Sequence, residues 1–116
     1  MRNFQDLSIW AKSHSLTLKI YSATQSFPKE EMFGLISQMR RSSSSIPTNI
    51  AEGCGQGSRK ETIRFLRMAA RSATETESHL IIASDMGFLS PDVRELFLGH
   101  AKTIQRMLAK LIANLP

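Results

Sequence analysis

Residues 40–61 read R-R-S-S-S-S-I-P-T-N-I-A-E-G-C-G-Q-G-S-R-K-E. Five serines, a proline, three glycines and basic residues at both ends suit a flexible tether or a phosphate-cradling loop. The apolar positions around the stretch favour a third reading. Leu35, Ile36, Met39, Ile46 and Ile50 keep helical spacing straight through the serine run, so the segment is mostly helix, with the serines on its surface and flank. Pro47 removes one backbone donor and crowds the carbonyl of Ser43, which predicts a kink near that residue. Gly53, Gly55 and Gly57 are expected to end the helix.

Working outward, Phe27-Pro28 closes the preceding connection, and Lys29-Glu30-Glu31 places acid near the positive end of this second helix. Residues 6–25 form the first. Leu7, Trp10, Ala11, His14, Leu18 and Tyr21 recur at three and four and are assigned to its core face. Ile9, Leu16 and Ile20 make a second apolar stripe, which suggests contact with another subunit, while Lys12, Ser15 and Lys19 keep a narrow wet face. Downstream, Ser58-x-x-Glu61 matches a capping box and launches a third helix to about Met86, closed by Gly87. Its core face is Phe65, Leu66, Ala69, Ala73, Thr76, Leu80 and Ala83. Ser90-Pro91 caps the fourth helix, with Val93, Phe97, Ala101, Ile104, Leu108, Leu111 and Leu115 inward and Gly99 as a weak point. No segment reads as a strand. The pattern predicts an all-α fold, a single antiparallel up-down four-helix bundle over residues 1–116.

A chain of 116 residues with 41% hydrophobic and 22% charged residues supports one globular core. No apolar run approaches the roughly 20 residues a bilayer demands, and the first 25 residues do not resemble a signal peptide. The single cysteine, Cys54, excludes an internal disulfide and suits a reducing compartment. The expected location is the cytoplasm.

Charge is unevenly spread. Between Arg59 and Arg71 stand five basic residues and one acid, Glu61, whereas the other 103 residues carry ten basic and nine acidic. Lys60, Arg64, Arg67 and Arg71, spaced four, three and four, form a stripe opposite the core face of the third helix, with Arg59 beside it. Lys102, Arg106 and Lys110 form another opposite the core of the fourth. Long cations along an outward face match phosphates at helical pitch, so these eight residues are the candidate nucleic-acid contacts. With few aromatics for stacking and no helix-turn-helix or RNA-recognition signature, single-stranded or structured RNA is favoured over duplex readout. An ordinary solvated face is the plainer alternative.

A polar seam runs beside the apolar stripe of the second helix: Gln38, Arg41, Ser45, Asn49 and Glu52. Groups at such a boundary need partners, and Glu75 or Glu77 on the third helix are candidates for Arg41. The seam reads as a register-fixing network, a subunit contact or a ligand site. Other chemistry finds little support. The 53–60 stretch lacks the Gly-Lys-Ser/Thr of a Walker loop and the third glycine of a dinucleotide fingerprint. One phosphate at the amino end of the third helix is a looser option beside a plain glycine-rich connection. His14, His79 and His100 fall on three helices without ligand spacing, and no nucleophile–base motif occurs. No metal, cofactor or enzymatic activity is therefore expected.

Several of these residues carry a resemblance. F-x-D-L-x-x-W (Phe4 to Trp10), F-P-x-E (Phe27 to Glu30), G-L-x-S-Q-x-R-R (Gly34 to Arg41), S-I-P-x-N-I-A-E-G (Ser45 to Gly53), R-F-L (Arg64 to Leu66) and E-x-E (Glu75 to Glu77) span nearly the whole chain. They resemble the bacterial four-helix-bundle proteins named for the intervening sequences of large-subunit ribosomal RNA genes. The resemblance implies an antiparallel bundle assembled as a ring-like homopentamer, with no enzymatic activity. The chain is also similar to the accessory protein of diversity-generating retroelements, a pentamer whose basic surface engages nucleic acid and a reverse transcriptase. The family's polar motif falls on Gln38, Arg41, Ser45, Asn49 and Glu52. Thr76 stands where the family usually has leucine and Arg71 where glycine is frequent, which loosens the core slightly and adds charge. The resulting expectation is a homo-oligomer that binds RNA or DNA electrostatically. The rival is an interaction scaffold that docks an acidic protein partner such as a reverse transcriptase.

Overall fold

Helix ends in this chain are set by a few side chains. Ser58 accepts a hydrogen bond from the Glu61 backbone N–H at 3.2 Å and starts a 27-residue helix. Ser90 does the same for Val93 at 3.2 Å, with Pro91 following in the first turn. Gly87, at φ +80°, stops the long helix. Its N–H bonds Ser84 O and the Phe88 N–H bonds Ala83 O, both at 2.9 Å, the two-bond closure that only a left-handed residue permits at low cost. Phe88 then packs on Phe27, ring centroids 5.3 Å apart.

The computed structural model describes residues 3–115. It comprises α1 (Ser8–Thr24), α2 (Ser37–Cys54), α3 (Arg59–Asp85) and α4 (Pro91–Ala113), with a short 3-10 turn at Phe4–Asp6. There is no strand among the described residues. Each helix packs chiefly on its two neighbours in the order α1–α2–α3–α4 and back to α1, the α1–α4 seam being the loosest. The result is an antiparallel four-helix bundle of 44 × 24 × 20 Å, its long axis set by α3 at about 1.5 Å per residue.

Three sequence expectations change. First, the faces of α1 are exchanged. Ile9, Leu16 and Ile20 are buried, whereas Ala11 and His14 are exposed, Leu18 is 56% and Tyr21 41% exposed, and Trp10 is half-buried. Leu7 alone of the assigned core stripe is buried. Both stripes are apolar, so periodicity could not rank them. The deciding residues are Ser13, Thr17 and Thr24, small hydroxyls buried beside Ile9, Leu16 and Ile20. Second, α2 does not run from Lys29. A 3-10 turn at Lys29–Glu31 and a π turn at Met32–Ile36 precede it, and Gly34 leaves helical dihedrals (φ −115°, ψ −109°). Third, Gly53 lies inside α2 rather than ending it. A Cβ there would stand 3.3 Å from Phe65 Cβ and 3.4 Å from Thr62 O, so glycine is what lets α2 approach α3.

α2 carries Pro47 within its length, buried against the core. A proline has no N–H for the carbonyl four residues earlier, here Ser43 O. Thr17 of α1 supplies the donor: its hydroxyl lies 2.9 Å from Ser43 O and 3.0 Å from Ser13 O. Ser13 O already has its helical partner in the Thr17 N–H, whereas Ser43 O has lost its own to Pro47, so the hydroxyl serves Ser43. All seven buried Ser and Thr side chains find partners, and no buried side-chain polar atom among the described residues is left unpaired.

Candidate nucleic-acid interface

The outer face of α3 begins within its first turn. Leu66, Ala69, Ala73, Thr76 and Leu80 face the core, which turns Lys60, Arg64, Arg67 and Arg71 away from it at helical spacing. With Arg59 and Ile63 they line a shallow groove of about 390 Å³. One carboxylate enters this set. Glu61 does not complete the capping box; its Oε2 takes Arg64 Nε and Nη2, each at 2.9 Å. The Arg64 guanidinium also lies 4.5 Å from the Phe65 ring centroid. That pair is about half exposed on both sides, so it is a weak, exchangeable contact. Arg59, Lys60, Arg67 and Arg71 form no ion pair among the described residues.

α4 runs antiparallel to α3, and Gln105 sets their register by donating to Ala73 O (3.5 Å) and Glu77 Oε1 (2.8 Å). Arg106 and Lys110 therefore lie level with the Arg67–Arg71 turn, on the exposed side of α4 with Lys102. Arg106 donates to Thr103 Oγ1 at 3.2 Å and forms no ion pair among the described residues. The opposite end of the bundle has a different character. There Tyr21, Met32, Phe33, Ile82, Met86 and Leu96 are exposed, Phe33 by 93%, in the company of Glu30, Glu31, Asp85, Asp92 and Glu95.

The seam on α2 divides into two parts. Arg41 bonds Gln38 Oε1 (2.9 Å from Nη2) and pairs with Glu75 of α3, while Glu77 serves Gln105 instead. Lower down, Ser45 and Asn49 bond within their own helix, to Arg41 O and Ser45 O at 2.8 Å. Glu52 is exposed, and its backbone carbonyl accepts from Gln56. Sequence reasoning missed what stands behind Arg41. Ser42 Oγ lies 3.0 Å from His79 Nδ1 and from Thr76 Oγ1, and His79 Nε2 is 3.6 Å from Glu75. This order resembles a serine–histidine–acid chain. Ser42 is fully buried between α2 and α3, however, and no substrate atom can reach its oxygen. Burial holds the His79 pKa below the usual histidine value, with Glu75 opposing and Arg41 reinforcing the shift. The chain therefore ties helices together through a neutral imidazole. Burial also pushes the Cys54 thiol up, away from thiolate chemistry.

The histidines do not converge. His14 stacks on Trp10 at 4.7 Å on α1, His79 sits in the α2–α3 network, and His100 faces the α1–α4 seam. No three His, Cys, Asp or Glu side chains group to hold a metal among the described residues. No helix among them is long and apolar enough to cross a membrane.

Comparison with known proteins agrees with this architecture. The crystal structure of a protein of unknown function from the S23 ribosomal protein family of Bacteroides thetaiotaomicron is similar, at a TM-score of 0.81 and 25% identity. The match covers 90% of this chain and 97% of that one. A search of curated proteins finds no match. The family model described as 23S rRNA-intervening sequence protein matches residues 5–110, and the chain belongs to that family.

Proposed function

We propose that this protein is a non-enzymatic, homo-oligomeric bundle that binds RNA or DNA electrostatically through the outer faces of α3 and α4. One observation carries the reading: five cations line the α3 groove, and among the described residues only one of them, Arg64, pairs with a carboxylate, Glu61. A surface built for salt-bridged solubility interleaves acids with bases; this one leaves Arg59, Lys60, Arg67 and Arg71 without an ion pair among the described residues, over about three turns of helix. Lys102, Arg106 and Lys110 extend the positive field along α4. The family name refers to the genes in which such proteins are encoded and does not make this one a ribosomal component.

Self-association is supported by the uncovered apolar side chains. Leu18, Tyr21, Met32 and Phe33 are large and solvent-facing, which a monomer at home in water avoids in such number. The subunit-contact role expected for one stripe of α1 thus passes to Leu18 and its neighbours, and the ring-like pentamer implied by the family resemblance is the expected assembly. The cytoplasm remains the expected location. Light scattering with and without a labelled single-stranded RNA, at two salt concentrations, tests both halves of the proposal. The expected result is a multiple of 13.0 kDa that gains RNA mass at low salt and loses it at high salt. A salt-insensitive mass with no RNA uptake overturns the nucleic-acid reading. The scaffold reading then gains ground if a protein partner survives nuclease treatment in a pulldown.

A further inference from the structure

The loosest seam of the bundle, between α1 and α4, opens into a groove of about 370 Å³. Lys12, Ser15 and Lys19 line it from α1, and His100 and Thr103 from α4. From this placement we infer that the α1–α4 groove is a binding site for a phosphate group.

Three features argue for it. The groove collects two ammonium groups, an imidazole and two hydroxyls, all of them hydrogen-bond donors, over an apolar floor of Leu16 and Ile104. No carboxylate lines it, and neither lysine forms an ion pair among the described residues. Lys19 Nζ settles for the neutral Ser15 Oγ at 3.2 Å. Arg106 reaches the rim through Thr103 Oγ1, so a third cation borders the site. The field inside is positive enough to be felt by the histidine: burial first, then Lys19 and Lys12, hold the His100 pKa below the usual value. A bound phosphate anion opposes both lysine effects and accepts the imidazole N–H, favouring His100 in its charged form. The ligand chemistry is therefore a tetrahedral phosphate, borne by a polynucleotide or free in solution. The site stands apart from the α3 groove and does not rest on it.

The test is NMR of the His100 imidazole in the full-length protein, titrated with inorganic phosphate at constant ionic strength balanced by chloride. The expected result is a saturable shift and a rise in the His100 pKa. Lys12→Gln/Lys19→Gln, both at exposed positions, is expected to weaken phosphate binding at least about tenfold, a 1.4 kcal/mol change. A second titration with a short single-stranded RNA separates the sources. Saturation by phosphate alone assigns a free anion, and saturation by RNA only assigns a backbone phosphate. No response beyond chloride from either, or the same affinity in the double variant, overturns the site. Lys60→Gln/Arg67→Gln/Arg71→Gln is expected to leave the inorganic phosphate response intact, which keeps failure of this site distinct from failure of the α3 interface.

Discussion

Replacing Thr17 by valine keeps side-chain shape and deletes one hydroxyl. In this bundle that hydroxyl is the donor 2.9 Å from the Ser43 carbonyl, which Pro47 deprives of its helical partner. Ser43 is fully buried, so water does not replace the lost bond. The cost is that of leaving a buried acceptor unsatisfied, about 1–3 kcal/mol. Pro47→Ala returns an N–H to position 47, and with it the bond to Ser43 O within α2. In that background Thr17→Val is expected to cost less than about 0.5 kcal/mol, giving a coupling energy of about 1–2 kcal/mol. Urea unfolding followed by circular dichroism on all four proteins of the cycle measures this. Protein concentration is held fixed, since association shifts apparent stability. Equal cost of Thr17→Val in both backgrounds refutes the pairing, because the threonine would then serve only its own helix.

Other substitutions test the packing and the charge. Gly53→Ala is expected to destabilise by about 1–3 kcal/mol, because its Cβ meets the Thr62 backbone oxygen and Phe65 Cβ; chemical unfolding measures it. Gly99→Ala, at an exposed helical position where a Cβ meets nothing within 4 Å, is expected to stabilise by up to about 1 kcal/mol, read as a higher Tm. His79 and His100 both have pKa values depressed in the fold, so the unfolded chain takes up their protons first. Their contribution is fully present above about pH 6.5, the ordinary histidine value. It is lost as pH falls through the lower folded values. Unfolding midpoints measured from pH 7.5 to 5 should fall, and His79→Asn/His100→Asn should flatten the slope.

Much of this architecture was legible because four helices carry period-3.6 apolar stripes bounded by strong local signals. Ser58, Gly87 and Ser90-Pro91 mark ends that the structure places within a residue or two. The face of α1 was not legible, since the outer stripe is as greasy as the inner one and the true core is interleaved with serine and threonine. Hydroxyls that bond back to their own helix read as polar in sequence yet bury well. Gly34 looked like an ordinary helical position because a break at one residue leaves the flanking periodicity unchanged. For the candidate interface, the α3 stripe followed from spacing alone. The rotamer choice that turns Glu61 to Arg64 rather than back to its cap has no sequence signature. The α1–α4 groove was out of reach for the same kind of reason. Lys12 and Lys19 lie more than 80 residues before His100 in the chain and meet it only because the first and last helices close the bundle.

The α3 cations are the core of the proposed interface, and the salt dependence of RNA affinity measures them. For single-stranded RNA, log K is expected to fall linearly with log salt, with a slope of about −0.7 for each phosphate neutralised. Lys60→Gln/Arg67→Gln/Arg71→Gln should make that slope shallower by about 2, with helix content unchanged. A variant that binds with the parental affinity and the parental slope contradicts the assignment of nucleic-acid binding to this face.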